Sequence, residues 1–139
     1  RTDIELSPDI PVQSEETPRS DRHHSILIAE DVYENYFLLE TLFGKQYQLY
    51  HALNGQEAID MFETYHPDLI LMDIKMPVMD GFEATRRIRT LSKTIPIIAL
   101  TAFAFEREKE IAKQCEFTDY VVKPIDIKEL KKLIVKALA

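Results

Sequence analysis

The chain has 139 residues and a formal net charge of −7, with 45% hydrophobic and 29% charged residues. That length suits one domain with a tail, and it is enough to bury a core. The acidic balance argues against binding to nucleic-acid phosphates or an anionic membrane surface, since both need clustered Lys and Arg. One cysteine, Cys115, excludes an intrachain disulfide and a zinc site built on several thiolates.

Residues 1–24 carry Pro8, Pro11 and Pro18 among many acidic and polar residues, with no helical or strand period. They read as a linker or disordered tail. His23 and His24 close it, and a solvated linker is preferred there over a metal site. Arg1-Thr2-Asp3-Ile4-Glu5 has no signal-peptide character. The missing initiator Met points to a piece of a longer chain. No apolar run approaches the roughly 20 residues that span a bilayer. The single unpaired thiol fits a reducing compartment, so a cytoplasmic location is expected, whether or not a parent protein is membrane-anchored.

From Ser25 to Ala139 five short apolar runs recur. They are Ile26-Leu27-Ile28-Ala29, Tyr47-Gln48-Leu49-Tyr50, Leu69-Ile70-Leu71-Met72, residues 95–100, and Tyr120-Val121-Val122. The first, third and fourth are near-continuous, as in strands buried on both faces of a parallel sheet. The second alternates, which suits a strand nearer an edge.

Helical patterns lie between the runs. One spans about 34–43 and closes at Gly44. Asn54 with Glu57, Asp80 with Glu83, and Asp126 with Glu129 each read as an N-cap with a reciprocal acid. The helix after Asp80 carries Arg86, Arg87 and Arg89 on its expected wet side, with Phe82, Ala84 and Ile88 toward the core. Another helix spans about 105–114. This β-α alternation predicts a doubly wound parallel sheet with right-handed crossovers.

Ligands of such sheets bind outside the carboxyl ends of the strands. The residues that follow the runs are Glu30 and Asp31, Asp73, Thr101, and Lys123 with Pro124. Any one of them alone would be a cap or turn former. Together they bring three carboxylates, a hydroxyl and an ammonium to one end of the sheet. Clustered carboxylates repel one another and raise their pKa values. Mg²⁺, a hard cation with oxygen ligands, relieves that repulsion. A carboxylate can also act as the nucleophile that forms an aspartyl phosphate. Phosphoryl transfer then asks mainly for positioning and charge neutralisation.

Four motifs carry a resemblance across about 25–139. They are Ile28-Ala29-Glu30-Asp31, Leu71-Met72-Asp73-Ile74-Lys75-Met76-Pro77-Val78-Met79-Asp80-Gly81, Ala99-Leu100-Thr101-Ala102 and Asp119-Tyr120-Val121-Val122-Lys123-Pro124. The sequence resembles the response-regulator receiver domain of two-component signalling. The resemblance implies a flavodoxin-like (βα)5 fold, strand order 2-1-3-4-5, with Asp73 as the phosphorylation site. It implies Mg²⁺ (or Mn²⁺) held by Asp31, Asp73 and the backbone carbonyl of Lys75, with Glu30 acting through a water. Lys123 would pair with Asp73 and then with the phosphoryl group. Thr101 would be the switch hydroxyl, Ala102 a backbone donor, and Tyr120 the aromatic that turns inward. The Lys123–Pro124 bond would be cis.

The sequence departs from the family in one turn. Cys115-Glu116-Phe117-Thr118 has no Gly where the family usually places one ahead of the fifth strand, so the partner-recognition surface there is the least determined. Phe103, two residues past Thr101, is expected to shield the phosphoryl group from water. The expected partners are a sensor histidine kinase domain or a histidine-phosphotransfer protein. No direct contact with nucleic acid or membrane is expected, and a homodimer is left open. The wording Met-Pro-Val-Met-Asp-Gly-Phe-Glu-Ala-Thr-Arg is similar to receivers fused to kinases. It favours the C-terminal receiver of a hybrid sensor histidine kinase, a transferase, over a stand-alone regulator or one cut from a transcription factor. The domain by itself would catalyse only its own phosphorylation and dephosphorylation. A flavodoxin-like small-molecule binder is the reading from another class. It would want a loop rich in Ser, Thr and Gly after the first strand, where Glu30 and Asp31 stand instead.

Overall fold

The computed structural model describes residues 24–102 and 106–139. Residues 1–23, which hold nearly all of the expected linker, lie outside the described residues, as do Phe103 and Phe105. The elements alternate strictly: β1 (Ser25–Ala29), α1 (Tyr33–Phe43), β2 (Gln48–Ala52), α2 (Gly55–Tyr65), β3 (Leu69–Asp73), α3 (Gly81–Leu91), β4 (Ile97–Thr101), α4 (Glu106–Gln114), β5 (Asp119–Val122) and α5 (Ile127–Leu138). All strand pairs are parallel, in the order β2-β1-β3-β4-β5.

The three continuous apolar runs became the three central strands, and every residue of β1, β3 and β4 is buried. Alternate residues of these strands feed opposite faces. Ile26, Ile28, Leu69, Leu71, Ile98 and Leu100 pack with Leu39 and Phe43 of α1 and Leu130 and Ile134 of α5. Leu27, Ala29, Ile70, Met72 and Ile97 pack with Ala58, Ile59 and Phe62 of α2 and Ala84 and Ile88 of α3. The alternating second run became the edge strand β2, displaced one or two residues toward the C-terminus. The run at 95–100 likewise yields a strand only from Ile97, because Pro96 has no N–H for a ladder.

Three expected caps form. Asn54 Oδ1 accepts from the Glu57 amide at 2.8 Å, Asp80 Oδ1 from the Glu83 amide at 2.9 Å, and Asp126 Oδ1 from the Lys128 and Glu129 amides. Glu57 returns a bond to the Leu53 amide. Glu83 does not reach back, because Arg86 and Arg87 one turn on take its carboxylate at 3.2 and 2.9 Å. That ion pairing holds the carboxyl below its usual range. Gly44 closes α1 as expected, its amide bonding to the Glu40 carbonyl.

Arg89 is a correction. It is not on the wet side of α3 but buried, at 5% exposure. Its guanidinium donates to the carbonyls of Glu116 (2.9 Å), Ile95 (2.6 Å) and Ser92 (3.3 Å) and to the Thr118 hydroxyl (3.4 Å). Its hydrogen-bond partners are neutral oxygens, three backbone carbonyls and one hydroxyl, at the end of the sheet opposite the motif residues, so the fork is held by hydrogen bonds to uncharged acceptors.

The Gly-less turn adopts the conformation that normally favours Gly: Glu116 sits at φ 65°. An L-residue pays roughly 1–2 kcal/mol for that conformation, part of which Gly gives back through its freer unfolded chain. Glu116→Gly is therefore expected to raise stability by about 1 kcal/mol, read as a higher midpoint in chemical denaturation. An equal or lower midpoint would count against strain at this turn.

Candidate functional site

The carboxyl ends of the central strands deliver the motif residues to one cleft. Asp73 is the last residue of β3, Thr101 the last of β4, and Glu30 the first residue past β1. Asp31, Asp73, Lys75, Thr101, Ala102 and Lys123 all line this cleft, of about 1120 Å³. Apolar walls come from Val32, Met76, Pro77, Phe82 and Ile111.

Asp73 is 5% exposed and Glu30 1%, while Asp31 is exposed. Carboxylate oxygens of all three approach within 4.8 Å of one another. Lys123 Nζ lies 3.2 Å from Asp73 Oδ1 and 3.8 Å from Glu30 Oε1. The Lys123 amide donates to the Thr101 carbonyl at 2.7 Å, tying the loop after β5 to the end of β4. The Lys123–Pro124 bond is cis, as expected.

Burial pushes the Glu30 carboxyl up to about 7. The Val32 amide, bonded to Glu30 Oε2 at 3.1 Å, and the Lys123 ammonium pull it down, while the Asp73 charge pushes it up. Burial thus outweighs the help that the Lys123 ammonium and the Val32 amide give the Glu30 charge. The donor set is hard oxygen throughout, which fits Mg²⁺ or Mn²⁺ and suits softer, thiolate-seeking ions poorly. The chemistry of these residues therefore suits a divalent cation.

Two of the expected residues lie at the margins of the site. Tyr120 does not line the cleft. It is half-buried against Ile74, Ala99 and Ala112, behind the end of β4. Lys75 is exposed at the rim, on the loop leaving β3. That loop turns sharply: the Met79 amide bonds to the Pro77 carbonyl at 2.7 Å, with Val78 between them at φ 69°. A β-branched residue rarely holds that conformation. Pro77 anchors the turn through its carbonyl, and the strain falls on Val78.

Gly81 and Gly55 let the surrounding loops close on β3. The Gly81 amide bonds to the Ile74 carbonyl at 2.8 Å, seating the start of α3 on the backbone beside Asp73. The Gly55 amide bonds to the Met79 carbonyl at 2.9 Å, tying α2 to the loop after β3.

The family model of the response regulator receiver domain matches residues 26–135. Sporulation initiation phosphotransferase F of Bacillus subtilis is 34% identical over 117 residues, covering 84% of this chain and 94% of that protein. The regulatory protein AtoC of Escherichia coli is 39% identical over 114 residues, covering 81% of this chain but only 25% of its own length. Among solved structures, the receiver domain of sensor histidine kinase PA1611 from Pseudomonas aeruginosa aligns with a TM-score of 0.77 and 34% identity. The alignment covers 83% of this chain and 97% of that one, whose active-site cleft holds a coordinated magnesium ion. The match along residues 26–135, on a sheet of order β2-β1-β3-β4-β5, means that this chain belongs to the response regulator receiver domain family.

Proposed function

We propose that Asp73 is the phosphoryl acceptor of this receiver and takes the group from a phosphohistidine. The observation that carries the reading is the buried Asp73 carboxylate, held 3.2 Å from the Lys123 ammonium in a cleft it shares with Asp31, with Glu30 clustered against both. In the transfer, an Asp73 oxygen forms a bond to phosphorus as the phosphorus–nitrogen bond of the donor breaks. The imidazole nitrogen leaves with the bonding pair and takes a proton from solvent.

Glu30, Asp31, Asp73 and the Lys75 carbonyl would hold Mg²⁺, which, when bound, neutralises charge on the phosphoryl oxygens. Lys123 orients the Asp73 carboxylate and then takes up the anionic oxygen of the product. The Thr101 hydroxyl and the Ala102 amide stand at the end of β4 to donate to the remaining oxygens. Drawing Thr101 toward that charge would make room for Tyr120 to turn inward from its seat on Ala99, a population shift that carries the signal.

Domain context is part of the proposal. Residues 25–139 form the receiver and residues 1–24 a linker. A hybrid sensor histidine kinase parent is supported by the likeness to the PA1611 receiver. A stand-alone regulator is supported by the near-complete coverage of sporulation initiation phosphotransferase F. Either would work in the cytoplasm with a histidine-bearing partner. Val32 lines the cleft at the head of α1, and Tyr33 and Phe37, exposed and stacked on each other, offer an apolar surface near it on which such a partner can seat.

Incubation with acetyl phosphate and Mg²⁺, read by intact mass, tests the reading. The expected result is a gain of one phosphoryl group, lost in Asp73→Ala and on chelation of the metal. No gain in the wild type, or an undiminished gain in Asp73→Ala, overturns it.

A further inference from the structure

His51 stands on β2 beside the acidic pair, and no step above uses it. Its ring lies flat on that of Tyr36 from α1, with centroids 3.7 Å apart and planes 2° from parallel. Its Nε2 is 2.8 Å from the backbone carbonyl oxygen of Glu30. A carbonyl can only accept, so Nε2 carries the hydrogen of this bond.

That carbonyl belongs to the peptide group joining Glu30 to Asp31. The paired register of β1 with β2 ends at Ala29 and Ala52. The Glu30 amide still donates to the Ala52 carbonyl at 3.0 Å. The next peptide group lies past the ladder, and the His51 side chain holds it where regular pairing has stopped. Asp31 is exposed, so packing does little to orient its carboxylate, and the preceding peptide plane sets the backbone from which that side chain departs. Tyr36 is 7% exposed on the inner face of α1 and offers the imidazole a fixed seat.

We infer that His51 is a positioning residue for the acidic site, fixing the Glu30–Asp31 peptide plane and thereby the Asp31 carboxylate. This rests on the proposed metal role of Glu30, Asp31 and Asp73. Packing on Tyr36 asks only for a flat ring. The hydrogen bond asks for a donor at one ring position.

Two substitutions separate those demands. His51→Phe keeps a ring on Tyr36 and loses the donor, whereas His51→Gln keeps an N–H donor and loses the ring. Mg²⁺ titration of the full chain by calorimetry is the readout, with the thermal midpoint measured alongside. His51→Phe is expected to weaken Mg²⁺ binding by about tenfold, the lower end of what outer partners of metal ligands contribute. Its thermal midpoint should fall by several degrees, because the Glu30 carbonyl loses its donor, so binding is titrated well below that midpoint. His51→Gln is expected to bind within about twofold of wild type. Wild-type affinity in His51→Phe, or a His51→Gln no better than His51→Phe, overturns the inference. Asp31→Asn in the same titration distinguishes the levels. If it weakens binding and His51→Phe does not, only the positioning role falls. If wild type does not bind Mg²⁺, or Asp31→Asn leaves binding unchanged, the metal reading falls and takes the inference with it.

Discussion

Gly81→Ala should cost the fold about 3 kcal/mol, the upper part of the range for overpacking a closed contact, and should impair phosphoryl acceptance as well. A methyl group at this position would overlap the Asp73 carbonyl oxygen and come within 2.9 Å of the Ile74 Cα. Neither is the far end of a flexible side chain, so relief must come from moving the backbone. The backbone that can move is the end of β3, which carries Asp73, the proposed acceptor, or the first turn of α3, whose amide bonds to Ile74. The φ angle of Gly81 is not positive, so the requirement here is for space alone. Denaturant unfolding measures the stability loss, and acetyl phosphate labelling of the remaining folded protein measures the displacement of Asp73. Wild-type stability together with wild-type labelling would refute the close approach.

Arg89→Ala should be at least as damaging, at about 4 kcal/mol, with a fall in melting temperature on the order of 15 °C. The deletion strands three carbonyls, of Glu116, Ile95 and Ser92, and empties the volume of a buried side chain. Each buried acceptor left without a donor costs roughly 1–3 kcal/mol, and solvent entering the gap returns part of that. Arg89→Lys should recover only part of the loss, because a single ammonium cannot serve carbonyls spread around a planar fork. Thermal melts of the two variants test this. A melting temperature for Arg89→Ala within a few degrees of wild type would show that the buried fork contributes little.

Arg89 also marks the limit of reading polarity from composition. Gly81, Ala84, Thr85, Ile88 and Arg89 are the buried positions of α3. They fall at i, i+3, i+4, i+7 and i+8, the spacing of one helix face. Spacing alone therefore placed Arg89 inside, and the assumption that arginine faces water displaced it. Strand identity was legible because β1, β3 and β4 are buried on both sides and need unbroken apolar runs. Strand order was not in the periodicity; it came with the family resemblance. The site was legible as residue types after strands, since a parallel sheet gathers those positions at one end. His51 was not legible, because its contact depends on which way a ring points from an alternating edge strand. The inner face of α1 was equally hidden. Its apolar residues surround the helix, and only packing selects Tyr36, Leu39 and Phe43 over the exposed Tyr33, Phe37 and Leu38.

The arrangement of buried and half-buried strands has a kinetic consequence. β1, β3 and β4 have no exposed residue, so their amides are expected to exchange with solvent only when the whole domain opens. β5 has four residues, of which one is buried, and so belongs to the part that opens early. Asp73 is thus rooted in the slowest-opening unit, and Lys123 leads off an edge strand that opens more readily. A charge added at Asp73 would be met by an acceptor that stays in place and an ammonium that can travel. The answering motion would begin at the β5 edge of the sheet, leaving the central hydrogen bonds intact.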